Sequence, residues 1–188
     1  MRNVNLSNVA DETPRPQAGG YVLTIADVTD VPMDPKTGKG DYLTIDYDFA
    51  EGEFAEYYYG KYKTFGFWGG HFIRSYKAKA LGMFKGFINE LKKDNPRFAE
   101  KWNDDGENDE KIMIGCKFGA VLGEEEYIGN DGKIKTRLNV AKIISIDDVH
   151  AGKFKVPETK KVERPKASSG VVDTTQQSFE QLDKDTPF

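Results

Sequence analysis

The stretch Asp41-Tyr42-Leu43-Thr44-Ile45-Asp46-Tyr47-Asp48-Phe49-Ala50, residues 41–50, carries the clearest alternation of apolar and polar side chains in the chain. In an extended backbone every second side chain lies on the same face. One face of this segment therefore carries Leu43, Ile45, Tyr47 and Phe49, and the other carries Tyr42, Thr44, Asp46 and Asp48. The pattern predicts a β-strand with one face in a hydrophobic core.

Two further strands are predicted on either side of this segment. Residues 20–31 alternate in the same way, and residues 32–40 are rich in Pro, Asp and Gly, which favours a hairpin loop between the two strands. Glu51-Gly52 indicates a turn, and residues 53–62 are dominated by aromatic side chains, which are enriched in strands. The sequence thus predicts a meander of three strands.

The hydrophobic period changes after a glycine-aromatic loop at residues 65–72. Within residues 76–93 the apolar side chains fall at helical spacing, and Asp94-Asn95-Pro96 supplies a stop. We therefore expect a helix over residues 76–93, with one short turn at 98–102 and an acidic loop at 103–110.

Two more strands are predicted beyond that loop, at residues 111–127 and 134–146, joined by the tight turn Asn130-Asp131-Gly132-Lys133. Five strands with a helix between the third and fourth are the elements of an OB-fold, a small Greek-key β-barrel. We therefore predict a mainly β protein with an arm at residues 1–18 and an OB-fold domain at 19–152. The Lys, Pro, Ser, Thr and Gln content of residues 153–188 predicts a disordered tail.

Composition narrows the range of functions. The chain has 188 residues, 38% hydrophobic and 31% charged, with no apolar run near the roughly 20 residues of a membrane helix. No apolar signal-peptide core is present at the N-terminus, so we expect a cytoplasmic protein, in the host cell if it is encoded by a phage. Cys116 lies in an apolar run and is expected in the core. The chain lacks the common nucleotide, zinc and redox motifs, and we predict no enzymatic activity, no cofactor and no metal.

Charge is distributed unevenly along the chain. The net charge is −4, yet Tyr57 to Arg97 holds nine Lys/Arg against two acids, a local balance of +7. Nine aromatic residues fall between Tyr57 and Tyr76, interleaved with these cations. Single-stranded nucleic acid needs both features, since bases stack on aromatic rings and Lys or Arg neutralises phosphates.

We therefore predict a nucleic-acid-binding surface in this region. On strand alternation we expect Tyr57 and Tyr59 on the open face and Tyr58 in the core, and basic residues of the fifth strand are expected to extend the surface. The candidate binding residues are Tyr57, Tyr59, Lys61, Tyr62, Lys63, Phe67, Trp68, His71, Arg74, Lys77, Lys79, Lys135 and Arg137.

Other interpretations of the same residues stay open. The aromatic side chains also suit a core, and the lysines of the fifth strand also suit an ordinary solvated face. Asp46 and Asp48 share a strand face and could bind Mg²⁺, as in a metal-dependent nuclease. A recombination annealing protein and a virion or adaptor protein are the remaining alternatives.

The C-terminus ends in Asp183-Lys184-Asp185-Thr186-Pro187-Phe188. A terminal Phe next to acidic side chains suits a partner with an apolar pocket and basic groups. We predict Asp183, Asp185, Pro187 and Phe188 as a partner-binding tip.

Several segments together resemble one family, the bacteriophage single-stranded DNA-binding proteins of the OB-fold type. The likeness covers about residues 19–150 and the tail. It is carried by Gly19-Gly20-Tyr21, Lys39-Gly40-Asp41-Tyr42-Leu43, the aromatic third strand, the helix near Lys79 and the Pro-Phe end. The tip departs from the bacterial form, because Lys184 interrupts the acidic run and Thr186 stands where an aliphatic residue is usual.

The resemblance implies a protein that coats and protects single strands in replication, recombination and repair, without catalysis or cofactor. It also implies recruitment of replication and recombination proteins through the tip, and it is compatible with a homo-oligomer. Stacking and phosphate contacts serve RNA as well as DNA, and a broad basic face admits duplex DNA at low salt.

Overall fold

Five antiparallel strands form one open sheet in the computed structural model, which describes residues 14–162. The strands are β1 (Gly19–Val31), β2 (Tyr42–Phe49), β3 (His71–Ser75), β4 (Lys117–Ile128) and β5 (Ile134–Ile144). Their order across the sheet is β3-β2-β1-β4-β5. The closed barrel expected from the sequence is therefore wrong, because β3 and β5 are the two edges of the sheet and are not paired with each other.

Four helices accompany the sheet in the described part of the chain, so the fold is mixed α/β rather than mainly β. Within residues 14–162 they are α1 (Tyr57–Phe65), α2 (Leu81–Asp94), α3 (Pro96–Lys101) and α4 (Ile146–His150). Short 3-10 turns precede α2 at Ala78–Ala80 and β4 at Glu110–Met113. The predicted helix between the third and fourth strands is confirmed as α2, and it ends before Pro96, which begins α3.

The predicted strand at residues 41–50 is confirmed as β2. Its apolar face is fully buried, together with residues of the neighbouring strands and of α2. The central core residues are Leu23, Ile25, Val28, Leu43, Ile45, Tyr47, Phe49, Phe87, Leu91, Phe118 and Leu122. Cys116 is buried as expected, and this burial raises the pKa of its thiol.

β1 links the two halves of the sheet. It pairs with β4 through residues 19–24 and with β2 through residues 23–31, and a bulge between Ile25 and Asp27 interrupts its register. Bulges bend strands and increase their twist. The central strand is therefore bent where it passes from one neighbour to the other, and α2 packs its buried residues into the same core.

The third strand lies elsewhere than the sequence predicted. Residues 53–62, expected to be a strand, form turns and most of α1, and β3 lies at residues 71–75 instead. Glu56 has a left-handed backbone conformation (φ 59°) that breaks any extended path immediately before α1. The high aromatic content of α1 reflects packing and exposure of rings on a helix rather than strand propensity.

The first ten residues of the predicted disordered tail have a defined place in the fold, so the tail prediction is wrong for residues 153–162. The Lys160 carbonyl accepts from the Glu126 amide (2.8 Å), and the Lys160 amide donates to the Glu124 carbonyl (3.0 Å). This parallel bridge lies beside the part of β4 that extends past β1. Phe154 lies over Gly20, where a Cβ atom would come within 2.4 Å of its ring, so glycine leaves room for this segment.

Within residues 14–162, none of the helices is both long and apolar enough to span a membrane.

Candidate nucleic-acid interface

The position of α1 is set by the carboxylate of Asp48 at the end of β2. Asp48 Oδ1 accepts from the Tyr58 amide at 2.9 Å, and Oδ2 accepts from the Tyr59 amide at 2.8 Å. The first amides of a helix have no partner within the helix, so a side-chain acceptor at this position acts as a cap. The Asp48 carboxylate thereby anchors the first turn of α1 to the sheet.

Lysine side chains lie over aromatic rings along α1. Lys61 Nζ is 5.0 Å from the centre of the Tyr57 ring and 5.8 Å from that of Phe65, and Lys63 Nζ is 4.3 Å from that of Tyr59. All three pairs are separated by four residues, the spacing at which helical side chains meet. These cation–π contacts hold two ammonium groups beside ring surfaces.

Four aromatic rings are exposed on α1 and the loop that follows it. Tyr59 and Tyr62 are 43% and 49% exposed, and Phe65 and Phe67 are each 61% exposed. Gly66 ends the helix with a left-handed conformation (φ 75°) and reverses the chain, so that the Phe65 and Phe67 rings lie 6.2 Å apart at an angle of 33°. We name the set Tyr59, Lys61, Tyr62, Lys63, Phe65 and Phe67 the α1 platform.

Trp68 packs beside Tyr62 of the platform and is hydrogen-bonded to the backbone of Tyr47 and Gly70. Its Nε1 donates to the carbonyl oxygens of Tyr47 and Gly70, each at 3.1 Å, and its ring lies 6.0 Å from that of Tyr62. The indole is thus fixed to the end of β2 and remains partly exposed. It can report on a ligand at the platform even where it does not itself stack on a base.

The remaining tyrosines of α1 face the core. Tyr58 is buried against Tyr47 and Phe49, as expected, and burial raises its pKa to about 12. Tyr57, expected on the open face, instead packs against Phe49 and Phe54. The prediction for Tyr57 was wrong because it assumed strand alternation, whereas adjacent helical residues point about 100° apart.

The candidate residues on β3 have different surroundings. His71 is exposed and lies opposite Asp46 on β2. Arg74 turns inward, with its guanidinium 4.6 Å and 5.3 Å from the ring centres of Phe72 and Phe87. Burial lowers the pKa of Arg74 to about 10, and its Nε has no hydrogen-bond partner among the described residues. This geometry indicates that the Arg74 guanidinium packs against the core and is poorly placed to contact a phosphate.

Lys77 and Lys79 are exposed at the 3-10 turn that leads into α2. They belong to the same run as the platform, residues 57–89, which holds six Lys/Arg and no Asp or Glu. This run therefore supplies positive charge without acidic residues of its own.

The two candidate binding residues on β5, Lys135 and Arg137, are paired with acids. Arg137 contacts Glu125 at 3.1 Å, and Lys135 contacts Asp131 at 3.3 Å. The Arg137 guanidinium also lies 5.5 Å from the centre of the Tyr127 ring. Because carboxylates lie beside both cations, Lys135 and Arg137 add little positive field to the surface.

The two aspartates considered as Mg²⁺ ligands have separate roles. Asp48 is only 4% exposed and is committed to backbone amides, whereas burial raises the pKa of Asp46 against the opposing effect of His71. Among residues 14–162 no group of three or more His, Cys, Asp or Glu side chains is placed to hold a metal ion.

Two residues of the site were missed as such from the sequence. Phe65 was seen in the aromatic cluster but was not selected, and Asp48 was considered only as a metal ligand. The four-residue spacing Tyr57-Lys61-Phe65 and Tyr59-Lys63 is the signal that indicates a helix here. The predicted tip residues Asp183, Asp185, Pro187 and Phe188 lie outside the described residues.

No model of a known protein family matches this chain, and comparison with curated proteins gives no match either.

Proposed function

We propose that the protein binds single-stranded DNA without sequence specificity, and that the α1 platform is the main binding element. The observation that carries this proposal is the combination of four exposed rings with Lys61 and Lys63 in a run free of acidic residues. Exposed apolar rings of this extent are typical of interaction surfaces. Because lysines alternate with these rings, the expected ligand is a polyanion that carries flat apolar groups. Single-stranded nucleic acid has both features, in its phosphates and its unpaired bases.

The binding mechanism follows from the chemistry of the platform. Unpaired bases stack on Tyr59, Tyr62, Phe65 and Phe67, and each stacked base contributes about 1–3 kcal/mol. Lys61 and Lys63 neutralise phosphates, which makes affinity fall as salt rises. Stacking surfaces accept every base, so sequence preference is weak.

The sheet supports an OB-type fold for this function. The OB arrangement is a five-stranded, partly open Greek-key barrel. In this proposal the binding surface is provided by α1, between β2 and β3, rather than by a face of the sheet. The order β3-β2-β1-β4-β5 fits such a barrel opened between β3 and β5, with α2 packed on the core. In this proposal the protein coats and protects single strands during phage replication, recombination and repair, and its Pro187-Phe188 end recruits the partner proteins.

The proposal is tested by titrating the protein with oligo(dT) and following tryptophan emission. The chain has two tryptophans, and Trp102 packs on Phe84 of α2 and Phe98 of α3 rather than on a ring of the platform. A Trp102→Phe variant therefore leaves Trp68 as the only reporter. Quenching that saturates and weakens with rising salt supports the proposal, and no quenching together with no mobility shift at low salt overturns it.

The same preparation separates the alternatives. Parallel titrations with oligo(U) and with a duplex hairpin measure preference for DNA over RNA and for single over paired strands. Bulk annealing of complementary strands, with large rings on gel filtration, would identify an annealing protein. Degradation of DNA that requires Mg²⁺ would identify a nuclease.

A further inference from the structure

We infer that Asp48 is a positioning residue for DNA binding: its carboxylate holds α1 folded and so keeps the rings and lysines of the α1 platform in register. This inference rests on the proposed function. It concerns a buried side chain that would not touch DNA itself.

Asp48 caps α1 although it lies on β2, ten residues before Tyr58 in the sequence. Its oxygens accept three backbone amides, from Phe49 at 2.8 Å, Tyr58 at 2.9 Å and Tyr59 at 2.8 Å. Two of these amides belong to the first turn of α1 and would otherwise be unsatisfied. A negative charge at this end also complements the helix dipole.

Apart from its Lys–aromatic pairs and the Gly66 C-cap, α1 has little else to stabilise it as a helix. It has nine residues, whereas isolated helices below about 12–15 residues are marginal in water. Gly60 lies in its interior, its first turn contains no acidic residue, and Glu56 at the N-cap position makes no side-chain cap. Packing of Tyr57 and Tyr58 and the cap from Asp48 are therefore the main connections between α1 and the sheet.

The cap reaches the binding surface through Tyr59. Its amide is bound by Asp48, its ring is exposed, and Lys63 lies over that ring. Unwinding the first turn would move Tyr59 away from Lys63 and would also disturb the Tyr57-Lys61 pair. Loss of the cap should therefore reduce both stacking and phosphate contact.

The test compares Asp48→Asn with Asp46→Asn, a control on the same strand face. The introduced asparagine amide retains an acceptor for the Phe49 and Tyr58 amides but places an NH₂ group towards the Tyr59 amide. An amide left without its acceptor in a partly buried place costs roughly fivefold to 150-fold in stability of the first turn. We expect D48N to bind oligo(dT) about tenfold more weakly and D46N to bind within about twofold of wild type. Amide hydrogen exchange of Tyr58 and Tyr59 should accelerate in D48N alone.

The salt dependence separates positioning from general destabilisation. If Lys61 and Lys63 no longer reach phosphates, the slope of log affinity against log salt should decrease by about 0.7 for each lost contact on a single strand. A variant that merely lowers the folded fraction keeps the wild-type slope. Urea unfolding of each variant gives that fraction directly.

Rescue provides a second, independent variant. A Cβ atom at Gly60 would meet nothing within 4 Å, so Gly60→Ala raises helix propensity without a clash. We expect D48N/G60A to recover affinity and amide protection relative to D48N. If D48N does not fold, the pair G60A and D48N/G60A replaces it in the same comparison.

Two results would overturn the inference while the proposed function stands: D48N that binds with wild-type affinity and slope, or amides of Tyr58 and Tyr59 that stay protected in D48N. If wild-type protein does not bind oligo(dT), the proposed function fails and the positioning role fails with it. In that case the exchange data still show whether Asp48 caps α1.

Discussion

Replacing Phe65 and Phe67 with alanine, singly and together, should weaken binding to oligo(dT) while leaving the fold intact. Both rings are 61% exposed, and they contact each other with their centres 6.2 Å apart. Complete burial of a Phe side chain contributes about 1.5–3 kcal/mol, so removing rings that are mostly exposed should cost about 1 kcal/mol of stability or less. The folded state should therefore survive both changes.

The effect on DNA binding should be much larger than the effect on stability. A stacked base contributes about 1–3 kcal/mol, which corresponds to roughly fivefold to 150-fold in affinity for each ring. The two rings lie close enough to stack on the same or adjacent bases, so the double variant should lose less than the sum of the single losses. Anisotropy of a fluorescein-labelled oligo(dT) measures these affinities, and urea unfolding measures stability.

Met33→Ala is the matched control for this experiment. Met33 is 51% exposed in the loop between β1 and β2, outside the acid-free run, and its loss should change affinity by less than about twofold. A double variant that binds within about twofold of wild type, with the same salt slope, would refute base stacking at the α1 platform. Equal losses in the double variant and in Met33→Ala would point to a non-specific effect of surface truncation.

Two further predictions follow from the same structure. Lys61→Gln combined with Lys63→Gln should lower the slope of log affinity against log salt by about 1.4, whereas Lys135→Gln, whose charge is paired with Asp131, should leave the slope nearly unchanged; titrations across a range of salt concentrations decide this. A chain ending at residue 155 should be about 1–3 kcal/mol less stable than one ending at residue 162, because it lacks two backbone hydrogen bonds to β4. Equal urea midpoints for the two chains would contradict this.

The elements that the sequence predicted well are those whose pattern is local. β2 alternates over eight residues, and α2 has apolar side chains at helical spacing and Pro96 after its end. In both cases the buried face is determined by neighbours within a few positions along the chain. The hairpin turn before β5 is likewise local, with Gly132 in the left-handed conformation.

The elements that were missed depend on contacts between distant positions. Residues 57–65 have strand-like composition, and a carboxylate at position 48 caps them as a helix. Residues 153–162 have the composition of a tail, and the edge of β4 beyond β1 gives them a place in the fold. Neither partner can be identified from the composition of the segment itself.

In the candidate site, too, the sequence alone does not show which cations are available to a ligand. Counting cations along the sequence gave equal weight to Arg74, Arg137 and Lys61. The fold turns Arg74 inward onto two rings, places Arg137 beside Glu125 and leaves Lys61 over exposed aromatic surface. Only neighbours in space determine which positive charges remain for a ligand.

The distribution of paired and unpaired charge also limits the path that a strand can take over the protein. The outer face of the sheet carries Asp46 opposite His71, and the β4–β5 hairpin carries acids beside its cations. The carboxylates on both surfaces would repel phosphates or cancel the attraction of the neighbouring cations. Within residues 57–89, Arg74 faces inward, whereas Lys61 and Lys63 lie on α1 and Lys79 is exposed at the turn before α2. We therefore expect a bound strand to follow α1 towards the start of α2. Cross-linking of photoreactive oligo(dT) should then label peptides from residues 57–89 and leave the β4–β5 hairpin unlabelled, and the opposite pattern would place the strand on the sheet.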